Sequence, residues 1–133
     1  MRATKHFPDE LLAQLKKSKV IRVRAGSGTH RFIGIWFVLV NDRVFARSWS
    51  VKPRGWYRRF LLKPYGAVQV GKAEIPARGV PIRSRRLRDE VDRAYMEKYG
   101  AGWELKYARD LIGEKSRTTT IEFVALRPSK AAG

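Results

Sequence analysis

Between Ser48 and Gly71 the chain reads SWSVKPRGWYRRFLLKPYGAVQVG, and most residue types able to do chemistry crowd its first two thirds. Ser48, Ser50, Lys52 and Arg54 take alternate positions beside Trp49 in a loop that ends at Trp56, and the helix that follows adds Arg58, Arg59 and Lys63. Hydroxyls, cations and flat rings thus fall within sixteen residues. This mixture suits a ligand with a planar ring and an anionic tail, because rings stack on rings while guanidinium and ammonium groups pair with phosphate or carboxylate. It suits nucleic acid as well, with Trp49, Trp56 or Trp103 stacking on bases. A solvated basic surface has the same composition.

The helix after Gly55 turns Trp56, Tyr57, Phe60 and Leu61 to one packing face. Arg59 and Lys63 stand four residues apart, a like-charged pair that costs an isolated helix a few tenths of a kcal/mol. A bound phosphate or carboxylate reverses the sign of that interaction; water screening both cations is the plain alternative. Elsewhere the chemistry is thin. The chain has no cysteine, so thiolate nucleophiles, thiolate metal sites and disulfides drop out together. His6 and His30 stand in no metal-ligand spacing, and no metal site is expected. No GxSxG elbow occurs, and the acidic pairs Asp9-Glu10 and Asp89-Glu90 fall in first helical turns, where the dipole accounts for them. An enzyme built from this set needs a cofactor to carry the reaction. Gly26-Ser27-Gly28-Thr29 is a weak phosphate signal with no P-loop lysine after it, and reads as a hairpin turn.

The strongest bias is charge: 29 Lys and Arg against 12 Asp and Glu, a formal +17 over 133 residues. Such a field attracts phosphates, nucleic acid and acidic surfaces. The cations are spread along the chain, and a hydrophobic share of 44% is enough for a core. The length predicts one domain over 1–133 with a frayed tail at 127–133. No signal-peptide h-region opens the sequence, and the apolar run Phe32 to Val40 is too short to span a bilayer as a helix, so a cytoplasmic protein is expected.

Periodicity supplies the elements that must position these residues. Pro8, Asp9 and Glu10 open a helix to about Lys17 with an apolar stripe of Leu11, Leu12 and Leu15. Lys19 to Ala25 alternates as a half-buried strand. His30 to Val40 is apolar on both faces, so it should line a barrel and also meet a helix or a second subunit. Asn41-Asp42 is a turn, and Arg43 to Trp49 returns as a strand. Ala67 to Val70 and Ala73 to Arg83 form the next pair, with Pro76 and Pro81 marking the latter as an edge or bulged strand. Ser84 caps a helix to about Tyr99 with the stripe Leu87, Val91, Tyr95 and Tyr99. Glu104 to Lys115 is a short helix or structured loop, and Thr118 to Leu126 is a last strand. This order predicts an α+β fold: a mostly antiparallel barrel of six or more strands with about three flanking helices.

The central stretch resembles the S-x-G-x-x-x-x-x-W-Y-x-N-L-x-x-x-P-x-V-x-V-x-G region of the deazaflavin-dependent nitroreductase family, which has the split β-barrel fold of the FMN-binding pyridoxamine-phosphate-oxidase-like proteins. A nearer resemblance, from FPDELLAQL through IWFVLVNDRVFARS, GWYRR and DEVDRAYMEKYG to TTTIEF, is to the uncharacterised family DUF2255. It spans nearly the whole chain and is carried by the ordered set of pieces. The matching residues are Ser48, Trp56, Tyr57, Leu61, Pro64 and Gly71. Two departures stand out: Ser50 replaces a family glycine, and the first hairpin has His30 and Arg31 where the nitroreductases carry other cations. The resemblance implies a split barrel, often a homodimer, with FMN or the deazaflavin F420 in a groove beside the strand ends. Carried onto this chain, the cofactor-binding set is His30, Arg31, Arg47, Ser48, Trp49, Ser50, Lys52, Arg54, Trp56, Tyr57, Arg59 and Lys63, and the activity is hydride transfer to a small electrophile. The alternatives are a non-redox barrel for another anionic small molecule or a protein partner, and a nucleic-acid-binding barrel.

Overall fold

A computed structural model describes residues 7–26, 31–50, 52 and 55–126. Strands β1 (Val20–Ala25), β2 (Ile33–Val40), β3 (Arg43–Ala46), β4 (Tyr65–Val70), β5 (Ala73–Pro81) and β6 (Ile121–Ala125) close into one barrel in the order β1-β2-β3-β6-β5-β4, every neighbouring pair antiparallel. Alternation puts one face of each strand inside. Ile21, Val23, Ile35, Phe37, Val44, Ala46, Val68, Val70, Ala77, Ile121, Phe123 and Ala125 share one buried core. Asn41 and Asp42 both adopt positive φ, 52° and 62°, as the tight turn joining β2 to β3 requires.

Two helices stop the ends of the barrel. Helix α1 (Asp9–Lys17) inserts Leu12 and Leu15 into the core at the end that carries the β2–β3 and β4–β5 turns, where Lys16 pairs with Asp42 at 3.7 Å. Helix α2 (Trp56–Leu62) inserts Phe60 at the opposite end, 5.1 Å from Phe123 between ring centroids. Phe60 lies so close to Gly79 that a Cβ there would stand 2.9 Å from its ring, so only glycine leaves it room.

The two-faced apolarity of β2 is met within the chain. Its inner face lines the barrel, while Val38 joins Phe45, Val91, Tyr95, Tyr99, Ala108 and Leu111 in a second core beneath α3 (Arg85–Tyr99) and α4 (Leu105–Leu111). The predicted stripe of α3 is the one that packs, and Ser84 Oγ accepts from the Leu87 amide as the predicted cap.

Several expected boundaries move for physical reasons. β3 stops at Ala46 and not Trp49, because the Arg47 and Ser48 amides donate to the Tyr95 hydroxyl and to Thr119 Oγ1. β6 starts at Ile121 because Glu114–Arg117 forms a short helix, α5, before it. Among the described residues five α-helices stand where about three were expected, because α4 and α5 divide the segment read as one helix or loop. β5 is no edge strand: it pairs with β4 and β6, and Pro76, opposite Ala67, offers its carbonyl to the Leu126 amide. The residues of the first hairpin turn at 27–30, Arg54 and the tail at 127–133 lie outside the described residues.

Candidate functional site

The residues just past β3 decide what the central stretch can offer. Arg47 is 2% exposed, and its guanidinium is spent inside the protein. Nε donates to Thr120 Oγ1 at 2.9 Å, Nη1 to Asp92 at 2.5 Å and to the Leu111 carbonyl at 2.9 Å, and Nη2 to the Arg88 carbonyl at 2.8 Å. One side chain therefore ties β3 to α3, α4 and the approach to β6. Burial pushes this guanidinium below its ordinary pKa and Asp92 pulls it back. Asp92 also accepts from Arg117.

Ser48 and Ser50 are folded onto one another. Ser48 Oγ donates to the Ser50 carbonyl at 2.6 Å and accepts from the Ser50 amide at 3.1 Å, and Ser50 Oγ accepts from the Lys52 amide at 3.1 Å. With the Ser48 amide on Thr119, the amides of both serines have partners within the chain. Lys52 is exposed.

Trp49 turns outward into an aromatic pocket of about 420 Å³, lined by Trp36, Trp49, Trp103, Tyr107 and Asp110. Trp36 is its base. One face stacks on Tyr99 at 4.1 Å and 2°, while Trp49, Trp103 and Tyr107 stand at 65°, 64° and 81° to it with centroids 5.4–6.3 Å away. Tyr107 is steep to both Trp49 and Trp103, at 84° and 73°. The base is held rigidly, since the Tyr99 hydroxyl donates to the Lys19 carbonyl at 2.6 Å and Lys19 pairs with Glu104 at 2.5 Å. Burial raises the Tyr99 hydroxyl well above its ordinary pKa, so it stays protonated. The walls remain open: Trp103 is 73% exposed, Trp49 43% and Tyr107 42%.

The α2 residues form a separate group. Trp56 packs on the barrel core against Phe123 and Phe60, at 6.0 and 6.3 Å, and the Tyr57 hydroxyl reaches the Thr118 carbonyl at 3.4 Å. Arg59 lies in the last turn and Lys63 is the C-cap, so both cations meet the carbonyl end of the helix, which itself favours positive charge. Lys63 lies against the start of the first hairpin: a Cβ at Gly26 would stand 3.2 Å from its Cδ. In the same region Arg24 Nε is a buried donor with no hydrogen-bond partner among the described residues. Arg31, on the far side of that hairpin, is exposed; His30 lies outside the described residues.

The structure thus divides the predicted set. Trp49 faces a pocket, Arg47 is internal, Ser48 and Ser50 bond to their own loop, and Trp56, Tyr57, Arg59 and Lys63 belong to the plug at the barrel end. Sequence reasoning missed Trp36, Tyr107 and Asp110 as neighbours of Trp49. Trp36 reads as an ordinary strand residue, and nothing local places α4 beside it. The one available signal was the pair of rings, Trp103 and Tyr107, close after the glycine-rich turn Gly100-Ala101-Gly102.

Solved structures of the same fold share little sequence with this chain. A protein assigned as a pyridoxamine 5'-phosphate oxidase from Listeria innocua superposes with a TM-score of 0.59 at 12% identity, covering 91% of this chain and 93% of that one. The conserved hypothetical protein Rv2991 from Mycobacterium tuberculosis gives 0.62 at 12%, covering 96% and 86%. HutZ, the heme storage protein from Vibrio cholerae, gives 0.61 at 11%, covering 93% and 92%. No curated protein matches the chain. Residues 11–123 match the family described as an uncharacterized protein conserved in bacteria, DUF2255, and the chain belongs to that family.

Proposed function

We propose that this protein is a small-molecule-binding split barrel whose ligand carries a flat conjugated ring, with FMN or F420 as the ring system and hydride transfer to a small electrophile as its use. One observation carries the proposal: Trp49 opens into a pocket walled by Trp36, Trp103 and Tyr107 beside the strand end where the resemblance sets the cofactor. Two barrels of the same fold carry names that point the same way, a pyridoxamine 5'-phosphate oxidase and a heme storage protein. The residues fit a ring held by its faces, since aromatic walls supply stacking. They do not offer the Ser48 and Ser50 amides to the ring edge, as both are bonded within the chain. Arg59 and Lys63, and Arg54 from the loop, are the cations for the anionic end. When bound, a flavin or deazaflavin supplies the hydride; this chain stacks the ring, shields one face from water and pairs the phosphate.

A homodimer belongs to the same proposal. Val20 is exposed and in register with Trp36, so the apolar surface of the pocket extends by one residue onto β1 before Arg22 takes its outer face. A second copy laid there would cover the open walls. Sedimentation at micromolar concentration should show a dimer, and a monomer would remove this element alone.

The test is titration of wild type and Arg59→Ala with FMN, F420 and hemin, followed by tryptophan fluorescence and ligand absorbance. One of the two flavin-type ligands should saturate, and Arg59→Ala should weaken it by about tenfold or more. No binding of either below about millimolar overturns the cofactor assignment. Saturation by hemin alone would transfer the pocket to another flat ligand.

A further inference from the structure

A second cavity, of about 300 Å³, lies where the segment after β5 meets α3 and α5, lined by Arg83, Arg85, Arg88, Glu114, Arg117 and Thr118. Four arginines on three pieces of chain line one space, and among its lining residues Glu114 is the single acid. Two of the four are fixed in place. Arg88 Nε donates to the Ile82 carbonyl at 2.9 Å, and Arg117 donates to Asp89 at 2.9 Å and to Asp92. The Asp89 hydrogen bond, then the nearby Asp92 charge, hold Arg117 above its ordinary pKa. Arg83 and Arg85 are exposed and have neither a hydrogen bond nor an ion pair within the described residues.

The charges do not cancel. Arg83, Arg85, Arg88, Arg117 and the Arg47 that shares Asp92 stand against Glu114, Asp89 and Asp92, which leaves two positive charges uncompensated. Like charges brought together round a cavity oppose folding, and an anion between them reverses that sign. A phosphate monoester carries about −1.5 to −2 at neutral pH and presents oxygens that match the guanidinium fork. We propose that this cavity binds the phosphate dianion of a small phosphorylated molecule. It is separate from the aromatic pocket and stands whatever that pocket takes.

The test uses the full chain at a fixed ionic strength of about 0.15 M, where exposed charges beyond about 8 Å are screened. Inorganic phosphate and pyrophosphate are titrated calorimetrically into wild type, Arg83→Ala, Arg85→Ala, Arg85→Lys and, as a control for net charge alone, Lys17→Ala on α1. Saturable binding at one site is expected, weakened about tenfold by either alanine variant, partly restored in Arg85→Lys and unchanged in Lys17→Ala. Arg83 and Arg85 have no partners to lose, so melting curves should coincide with wild type; if one variant fails to fold, the other carries the test. Non-saturating binding, or an equal loss in Lys17→Ala, shows only the overall positive field and overturns the proposal. An oligonucleotide without a terminal phosphate that binds more tightly than pyrophosphate, and loses that binding in Arg85→Ala, overturns the small-molecule source in favour of a nucleic-acid backbone.

Discussion

Trp49 and Trp56 stand at the two ends of one loop and have opposite surroundings. Trp56 lies against Phe60, Phe123 and Tyr57, half-buried on the barrel core. Trp49 leans on Trp36 and Tyr107 and leaves 43% of its surface to solvent. The first completes the packing of the barrel end; the second keeps surface free for something else. The arginines divide in the same way. Arg47 has its guanidinium bonded on all sides inside the protein, while Arg83 and Arg85 face a cavity with no partner among the described residues. Residue type does not separate the two roles. What separates them is whether the fold brings partners to the side chain.

The largest expected effect breaks the committed side of this contrast. Arg47→Ala removes the hydrogen bonds to Thr120, Leu111 and Arg88 and leaves Asp92 with Arg117 alone. Breaking a buried ion pair from one side costs about 3–5 kcal/mol. Urea denaturation should show a loss of that size, and a loss below about 1 kcal/mol would mean the network is no better than a surface pair. Next comes Trp56→Ala, expected to cost about 2–3 kcal/mol because a large ring leaves the barrel end while part of its surface was already wet. Ligand affinity of the folded fraction should be unaffected by that change.

These two sites also show what can be read before folding. The order of the barrel strands along the chain, the stripe Leu87, Val91, Tyr95 and Tyr99 and the Ser84 cap follow from local periodicity, and the structure places them as expected. β2, apolar on both faces, announces two layers of cover, although the sequence leaves open whether the outer one is α3 or a second chain. The candidate site was less legible. Arg47 reads as a site cation because nothing near it in sequence supplies Asp92, Leu111 or Thr120. Trp36 reads as core because its partners Trp103 and Tyr107 are more than sixty residues away. Polar and aromatic commitment is set by tertiary partners, whereas strand and helix periods are set by neighbours.

A third, smaller effect probes the shared support under both regions. Lys98 is partly buried on α3, donates to the Phe37 carbonyl at 2.9 Å and sits 3.4 Å from the Phe37 ring centroid. Burial, with a lesser push from the Lys19 ammonium, lowers it from 10.5 to about 8. The sign follows from proton counting. Between about 8 and 10.5 the unfolded chain holds the proton more than the folded one, so this group's contribution to stability rises with pH across that window. Below it the cost of the buried ammonium is constant. Tyr95 and Tyr99, which pack nearby, are both pushed up by burial. The stability of wild type minus that of Lys98→Met should therefore climb by about 1 kcal/mol over the window, after discounting for partial solvent screening. A flat difference would mean that the ammonium is solvated.

The smallest effect on stability is expected at Trp49, and it sharpens the contrast most. Trp49→Ala removes an exposed ring whose neighbours Trp36, Trp103 and Tyr107 still contact one another. Trp36 also keeps its stack on Tyr99, and the Ser48 and Ser50 bonds are made by backbone and hydroxyl groups that the substitution leaves alone. The cost to folding should be about 0.5 kcal/mol or less, within the range of ordinary surface changes. Binding should respond in the opposite proportion, because stacking on one aromatic wall is worth about 0.5–1.5 kcal/mol beyond the area it covers. Together with the lost area, this predicts about tenfold weaker affinity for a flat ligand. Trp49→Phe should recover part of it, since a smaller ring still stacks, whereas no phenylalanine should be needed to recover stability. The measurement pairs urea denaturation with ligand titration for Trp49→Ala, Trp49→Phe and Trp56→Ala. If Trp49→Ala costs as much folding energy as Trp56→Ala and leaves binding intact, the outward aromatic cluster is packing after all, and the ligand must be sought among Lys63, Arg31 and the first hairpin.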